Sequence, residues 1–336
     1  MRAPGVPTVV VLAVLLIAPL LTGPYVQYVL NLVLAFSVIS LGLNIVLGFA
    51  GLVSFAHSAF VGVGAYATAL LMDRLGLPFV LALPLAGVIS ALIGYCVGLP
   101  AVRVRGLYLA LVTIACLYFF TWIFTHWESV TNGTSGMAMP AATFFGLPMK
   151  ADRDKYYPLL AIAVVMCVLA TALMRAKLGR AFVMVRDAEI AAQVCGIDVM
   201  HNRATAFSLS AFYAGVGGGM LALTISFIDP RTFGLLQMVT QFGMVLIGGL
   251  ASITGSLIGA VLLTILPEFL RKFRGAEEVL YGLTLIVSIV FMPNGIAGLL
   301  RQRGWLAATD LGGRAPARRP ALGSSAPAAS TAVQSK

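Results

Sequence analysis

Residues 78–100 read PFVLALPLAGVISALIGYCVGLP and contain no charged side chain. About 20 apolar residues in succession span the hydrocarbon core of a bilayer as one helix, so this stretch predicts a membrane-spanning helix. Nine further apolar runs lie at residues 7–22, 28–47, 57–72, 106–127, 157–174, 204–227, 235–250, 254–270 and 279–300. The sequence therefore predicts an all-α, polytopic integral membrane protein with about ten transmembrane helices, some of them short or broken.

The composition of the whole chain agrees with this fold class. Of the 336 residues, 60% are hydrophobic and only 10% are charged, and the mean hydropathy is +0.98. A soluble domain carries about a quarter charged residues, so an appended soluble catalytic or nucleotide-binding domain is excluded. The net charge of +10 would suggest nucleic acid in a soluble protein. Here the basic residues lie in short segments between apolar runs, so we expect membrane lipid and no nucleic acid as a partner.

The basic residues also predict the side of the membrane that each loop occupies, because short cytoplasmic loops carry an excess of lysine and arginine. Arg103 and Arg105, the loop at residues 175–203 and the basic tail are all cytoplasmic if the number of spans is even. Both termini are then cytoplasmic, and the loop at residues 128–157 lies outside. The basic cluster at residues 271–274 falls outside in this scheme and disagrees with it.

Two regions follow from this pattern: a membrane domain over residues 1–306 and a tail over residues 307–336. Alanine, proline, glycine, serine and arginine dominate the tail, which predicts a disordered and dispensable cytoplasmic segment. No A-x-A cleavage pattern follows the run at residues 7–22, and nine more runs do. We therefore expect that run to be an uncleaved anchor.

Glycine and small polar residues interrupt two of the apolar runs, at residues 42–54 and at residues 248–252. Such residues at membrane depth are typical of broken helices that line a cavity, and close helix packing through small residues is the alternative. The similarity of Gly-Leu-Val-Ser at residues 51–54 to Gly-Leu-Ala-Ser at residues 249–252 indicates a possible internal repeat. We expect part of the following group to line a translocation path: Asn44, Gly48, Gly51, Ser54, His57 and Ser58. For His57, a hydrogen bond to backbone is the alternative.

The spans contain almost no ionisable groups, although proton-coupled carriers and intramembrane enzymes usually need them at depth. The sequence also lacks a phosphate-binding nucleotide loop, an H-E-x-x-H zinc motif and a G-x-S-x-G nucleophile elbow. The four cysteines show no C-x-x-C spacing, which argues against a metal site. We therefore expect no catalytic residues, no metal and no cofactor in this chain, and we expect any energy to come from another subunit.

The loop at residues 175–203, called the 175–203 loop below, is the one substantial cytoplasmic segment. Residues 179–197 predict a short helix that ends at Gly196. Phe182, Val185, Ile190 and Val194 provide apolar anchors, as expected for a helix that docks into a groove of another protein. An amphipathic helix lying on the membrane surface is the alternative.

Glu189-Ile190-Ala191-Ala192 followed by Gly196 resembles the EAA loop of ABC-importer permeases, in the variant form of the branched-chain amino-acid permeases of the LivM type. Several other stretches are similar to that family's motifs, in the same order along nearly the whole chain: residues 43–48, 64–66, 105–113, 127–137, 207–212, 248–255 and 291–295. Two departures are that Asn132 replaces the first glycine of a T-G-G motif and that Ile190 separates Glu189 from the two alanines.

The resemblance implies a permease subunit of a bacterial inner (plasma) membrane importer, which is a transport subunit and not an enzyme. The implied partners are a second related permease, two ATP-binding subunits that hold the ATP, and a periplasmic substrate-binding protein. Branched-chain amino acids are the implied cargo. A permease for urea or short amides, an ion-coupled secondary carrier and a membrane enzyme remain alternatives, and the pairing of permeases as hetero- or homodimer stays open.

The resemblance also implies roles for two sets of residues. In the 175–203 loop, Glu189 would contact the rim of an ATPase groove, the two alanines would permit close approach and Gly196 would allow the following turn. This coupling set is Arg186, Glu189, Ala191, Ala192 and Gly196. The periplasmic set in the 128–157 loop is Thr131, Asn132, Gly133 and Gly136.

Overall fold

The computed structural model describes residues 15–20, 22–101, 103–104, 106–144, 147–149, 151–270, 282 and 295–302. The predicted tail at residues 307–336 lies outside the described residues. So do most of the first and last predicted apolar runs and the basic cluster at residues 271–274.

Helices dominate the described residues, as the all-α prediction requires. The long helices are α1 (Pro24–Asn44), α2 (His57–Leu75), α3 (Phe79–Ala101), α4 (Leu107–His126), α6 (Asp152–Arg175), α9 (Val199–Ile225), α10 (Leu235–Gly248) and α11 (Ile253–Leu270). The shorter ones are α5 (Glu128–Thr131), α7 (Lys177–Asp187), α8 (Glu189–Val194) and α12 (Gly295–Gln302). A π-helical segment (Ile45–Phe49) follows α1, and 3-10 turns cover Gly133–Ser135 and Pro230–Phe233.

The described residues also include short β-strands, which the all-α prediction did not anticipate, and each of these strands is two residues long. Strand β1 (Met137–Ala138) pairs with β4 (Phe227–Ile228), with Met137 opposite Ile228. Strand β2 (Thr143–Phe144) pairs with β3 (Leu147–Pro148). The 128–157 loop is also shorter than its predicted bounds, because α6 begins at Asp152.

Six helices in the described part of the chain are long and apolar enough to cross a membrane, which fits a polytopic membrane protein but not the predicted count of about ten. They are α1 with its π-helical extension, α3, α4, α6, α9 and α11. Two other predicted runs form helices that are either too short or not apolar enough to be counted with these six. Helix α2 carries His57, Asp73 and Arg74 and is less apolar. Helix α10 has 14 residues, about 21 Å at 1.5 Å per residue, whereas the hydrocarbon core is about 30 Å thick.

Helix α9 lies at the centre of the bundle and packs closely through its run of glycines. A methyl group at Gly215, Gly217 or Gly218 would overlap atoms of α3, α1 or α2, respectively. Gly64 of α2 likewise rests on the backbone of Gly215. In α1 and α9, 83% of the most apolar window is buried, against 22–33% in α3, α4, α6 and α11. The glycine cluster therefore serves packing, and the four peripheral helices present apolar surface suited to lipid.

Contacts between loops define two opposite ends of the bundle. At one end β1 pairs with β4, and Arg74 at the end of α2 donates a hydrogen bond to the Ser129 carbonyl at 2.5 Å. At the other end, the 175–203 loop meets the π-helical segment after α1. The 128–157 loop and β4 therefore share one end, and the 175–203 loop lies at the other.

Candidate functional site

The first interruption of the helices, called the first break below, covers residues 45–56 between α1 and α2. Its π-helical start is fixed by a hydrogen bond from the Ala50 N–H to the Ile45 carbonyl at 3.0 Å. Gly51 then adopts a φ of +70°, which glycine tolerates without steric cost. The glycine lets the chain leave the helix, and regular helix resumes only at His57.

The second break, residues 249–252, separates α10 from α11. Gly249 and Ala251 have φ values of +124° and +56°, so the backbone turns sharply there. The Ser252 hydroxyl accepts a hydrogen bond from the Gly255 N–H at 3.1 Å, which caps the first turn of α11. Gly248 packs on Gly255 so closely that a methyl group on either would overlap the other's backbone.

Asn44 joins the two breaks. Its amide nitrogen donates to the Ser252 carbonyl at 2.9 Å and to the Ser256 hydroxyl at 2.6 Å, and its amide oxygen accepts from the Ala251 N–H at 2.9 Å. A methyl group at Gly48 would overlap the Asn44 amide oxygen and the Ala251 N–H. The end of α1 that leads into the first break is therefore in direct contact with the second break.

The other polar residues of the predicted path are buried, and His57 and Ser58 are used in hydrogen bonds. The His57 Nε2 lies 3.0 Å from the Ile39 carbonyl, and Nδ1 lies 3.0 Å from the Ser210 hydroxyl. Because a carbonyl can only accept, Nε2 carries the proton and Nδ1 accepts from Ser210. Ser58 donates to the Phe233 carbonyl at 3.0 Å. Such bonds within the chain are what close helix packing, the alternative to a path role, would require. Of the remaining members of the group, Ser54 is buried and Gly51 is exposed. The path assignment stays a prediction.

The 175–203 loop contains two helices where the sequence predicted one. Helix α7 ends at Asp187, Ala188 is non-helical with φ −152° and ψ 80°, and α8 begins at Glu189. Gly196 has a φ of +79°, which explains why the helical pattern stops there. Glu189 forms an ion pair with Arg203 at 2.9 Å, which ties α8 to the first turns of α9.

The exposure of the loop residues separates an inner face from an outer face. Phe182 and Val185 are buried within the chain, and Ala192 is buried against Val185 and Val199. By contrast Ile190 and Val194 are 79% and 84% exposed, and Ala191 is exposed beside them. Close approach by another protein can therefore use Ala191, whereas the Ala192 side chain already fills the interior of the loop.

Arg186 connects the 175–203 loop to the first break. Its Nη1 donates to the Gly48 carbonyl at 2.6 Å, and its Nε donates to the Asp187 carboxylate at 2.8 Å. The aliphatic part of Arg186 lies over Gly51 so closely that a methyl group there would overlap it. The sequence placed Arg186 in the loop but contained no signal for this contact across 138 positions.

The predicted periplasmic set shares one tight turn at the opposite end. The Thr131 hydroxyl donates to the Phe124 carbonyl at 2.9 Å, which anchors the turn to α4. Asn132, Gly133 and Gly136 have φ values of +58°, +57° and +69°. Asparagine enters this region more readily than most residues, so Asn132 can stand where the family motif has glycine.

We expect Asn132→Gly to leave the thermal unfolding midpoint of the purified chain nearly unchanged, because glycine adopts the same φ. Asn132→Val is expected to destabilise the fold by about 1–2 kcal/mol, the penalty for a left-handed residue with a side chain. Equal midpoints for the valine variant and the unmodified chain would contradict this account of the turn.

The sequence profile described as the permease component of the branched-chain amino acid transport system matches residues 25–292. The chain belongs to this permease family. The match covers the first break, the 175–203 loop and the second break, so the geometry described above is that of a branched-chain amino acid transport permease. It also confirms the prediction of a transport subunit and not an enzyme.

Individual relatives carry the names of two kinds of permease. The "high-affinity branched-chain amino acid transport system permease protein LivM" of Salmonella typhimurium is 30% identical over 81% of this chain and 70% of its own length. The protein of the same name from Escherichia coli gives the same values. The LivH protein of Salmonella typhimurium is 24% identical over 78% of this chain and 91% of its own length. No solved structure matches this chain.

Proposed function

We propose that this permease is one membrane subunit of an ATP-driven importer of branched-chain amino acids in the bacterial inner membrane. Two ATP-binding subunits hold and hydrolyse the ATP, and a periplasmic binding protein delivers the substrate. Membership of the permease family and the names of the relatives support this assignment. No nucleotide-binding motif occurs in the chain, so hydrolysis belongs to a partner.

The second membrane subunit is a related permease and not a second copy of this chain. One strain of Salmonella typhimurium has both a LivM and a LivH permease of the high-affinity system, and both match this chain. The greater identity to LivM supports the LivM position for this chain and a LivH-like partner.

We place the end of the bundle with the 175–203 loop in the cytoplasm and the end with the 128–157 loop in the periplasm. The positive charge of the 175–203 loop supports this orientation. We keep the predicted ten crossings with both termini cytoplasmic, and we count α2 and α10 among them.

We propose that the 175–203 loop couples ATP hydrolysis to transport, and the hydrogen bond from Arg186 to the Gly48 carbonyl is the main support for this proposal. Gly48 packs on the Asn44 amide, which is bonded to the second break. A displacement of the 175–203 loop by an ATP-binding subunit would therefore move both breaks through direct contacts. The exposed pair Ile190 and Val194 is the docking surface for that subunit.

We expect Arg186→Ala to reduce leucine uptake by the reconstituted complex about tenfold or more while ATP hydrolysis continues. The Arg186 bond is charge-assisted and contributes about 1.5–3 kcal/mol, and every 1.4 kcal/mol corresponds to a factor of ten. Uptake and hydrolysis are measured together in proteoliposomes, so that the ratio of amino acid moved to ATP consumed is obtained.

Arg180→Ala is the matched control, because Arg180 is an exposed arginine on the same helix α7. Its transport ratio should equal that of the unmodified complex. An unchanged ratio in Arg186→Ala would overturn the relay. Failure of the unmodified chain to assemble with any ATP-binding subunit would overturn the proposed function itself.

A further inference from the structure

Two glutamines of α10 have polar groups that no part of the described chain satisfies. Gln241 is 0% exposed, and neither its amide nitrogen nor its amide oxygen has a hydrogen-bond partner among the described residues. The amide nitrogen of Gln237, one turn earlier, is buried and equally without a partner there. Asn44 and His57 on the predicted path use their polar atoms within the chain.

The two glutamines lie on the face of α10 that packs on α11. Gln237, Gln241, Met244 and Gly248 recur at intervals of three and four positions and so share one stripe of the helix. On that stripe Gly248 contacts Gly255, and Met244 packs against Ala260 and Leu263 of α11. Gln241 therefore belongs to the seam between α10 and α11, eight residues before the second break begins at Gly249.

A buried amide without partners costs free energy in the state that buries it. A movement of α10 away from α11 would let the Gln241 amide meet water or a ligand. This free-energy cost therefore applies only while α10 packs on α11, and it disappears when the two helices separate. The helices meet at the second break, whose backbone turns at Gly249 and Ala251.

We propose that Gln237 and Gln241 line the translocation path and hold the backbone of the amino acid when the seam between α10 and α11 opens. An amide offers N–H groups to a carboxylate and a carbonyl to an ammonium, so two glutamines match a zwitterion without adding a fixed charge. This inference rests on the proposed function as an amino-acid permease and identifies where its substrate binds.

Gln241→Leu is the deciding variant, because leucine keeps the volume and removes the unsatisfied amide. We expect a higher thermal unfolding midpoint for the purified complex together with a loss of leucine uptake of about tenfold or more. A structural glutamine would give the opposite change in the midpoint. A raised midpoint with full uptake, or a lowered midpoint, would overturn the proposal.

Gln27→Leu is the matched control on α1. Gln27 is also buried, but its amide nitrogen donates to the Pro19 carbonyl at 2.9 Å and to the Thr22 carbonyl at 3.0 Å. Its replacement should lower the midpoint. The contrast separates an unsatisfied glutamine from a satisfied one.

Accessibility provides a second readout with a cysteine at position 244, one turn from Gln241 on the same stripe, so that both glutamines are kept. In Met244→Cys, an aqueous thiol reagent should label the introduced cysteine during turnover, and saturating leucine should slow the labelling. Labelling that leucine does not slow, or no labelling during turnover, would overturn the proposal. Absence of ATP-dependent leucine uptake by the unmodified complex would instead overturn the proposed function, so the two failures are distinguished.

Discussion

Replacement of Asn44 by leucine is expected to destabilise this permease more than a typical point mutation and to abolish transport. Leucine has a similar volume but makes none of the hydrogen bonds that join the two breaks. The orphaned Ala251 N–H costs about 1–3 kcal/mol, and each of the two lost donor bonds contributes about 1 kcal/mol. The sum exceeds the roughly 1 kcal/mol that single substitutions typically cost. The thermal unfolding midpoint and uptake in proteoliposomes measure the two effects.

Asn31→Leu is the control for this experiment because Asn31 is a buried asparagine on the same helix. Its amide nitrogen donates one bond, to the Asp152 carbonyl at 2.9 Å, and its amide oxygen has no partner among the described residues. Loss of one bond is then offset by removal of an unsatisfied oxygen, so we expect a small change. Similar midpoints for the two leucine variants would contradict the role assigned to Asn44.

Both breaks were predictable from the sequence, because glycine and small polar residues interrupt apolar runs at those places. Their contact was not predictable. Asn44 and Ser252 are 208 positions apart, and neither periodicity nor composition states which distant backbone a buried amide will bind. For the same reason the sequence could not show that the polar atoms of Asn44 and His57, both in the predicted path group, form hydrogen bonds within the chain.

The positions of the described long helices agree with the predicted apolar runs, but their depth in the bilayer could not be predicted. Hydropathy measures the apolar length of a segment and not where that segment begins. Helix α10 has the composition of a span and only 14 residues, and Ser58 at the start of α2 contacts the turn that leads into it. The glutamines of α10 escaped notice because two polar residues scarcely lower the hydropathy of an apolar run.

The 175–203 loop was correctly expected to hold a helix that ends at Gly196, but the interruption at Ala188 was missed. Alanine favours helix, so its non-helical conformation at position 188 has no local cause in the sequence. The interruption is accompanied by tertiary contacts, namely the Arg186 bond to Gly48 and the Glu189 pair with Arg203. It turns α8 so that Ala192 faces inward while Ile190 and Val194 face outward.

The second large effect is expected from replacing the two outward-facing residues of α8 together, in the double variant Ile190→Asp with Val194→Asp. Burial of an isoleucine or valine in a partner's groove contributes about 1.5–3 kcal/mol each, and carboxylates reverse that contribution. Docking of the ATP-binding subunits should weaken by roughly three orders of magnitude, at 1.4 kcal/mol per factor of ten, and uptake should stop. Co-purification of the ATP-binding subunits and uptake in proteoliposomes are the measurements.

Leu75→Asp serves as the control, because Leu75 is 65% exposed at the end of the bundle opposite the 175–203 loop. It should leave co-purification unchanged. Ile190→Trp then separates a protein groove from a membrane surface: a groove that fits isoleucine rejects the larger ring, whereas the membrane interface favours it. Normal co-purification in the double aspartate variant would refute docking through α8. Normal co-purification and uptake in Ile190→Trp, with both lost in the aspartate variant, would instead place α8 on the lipid surface.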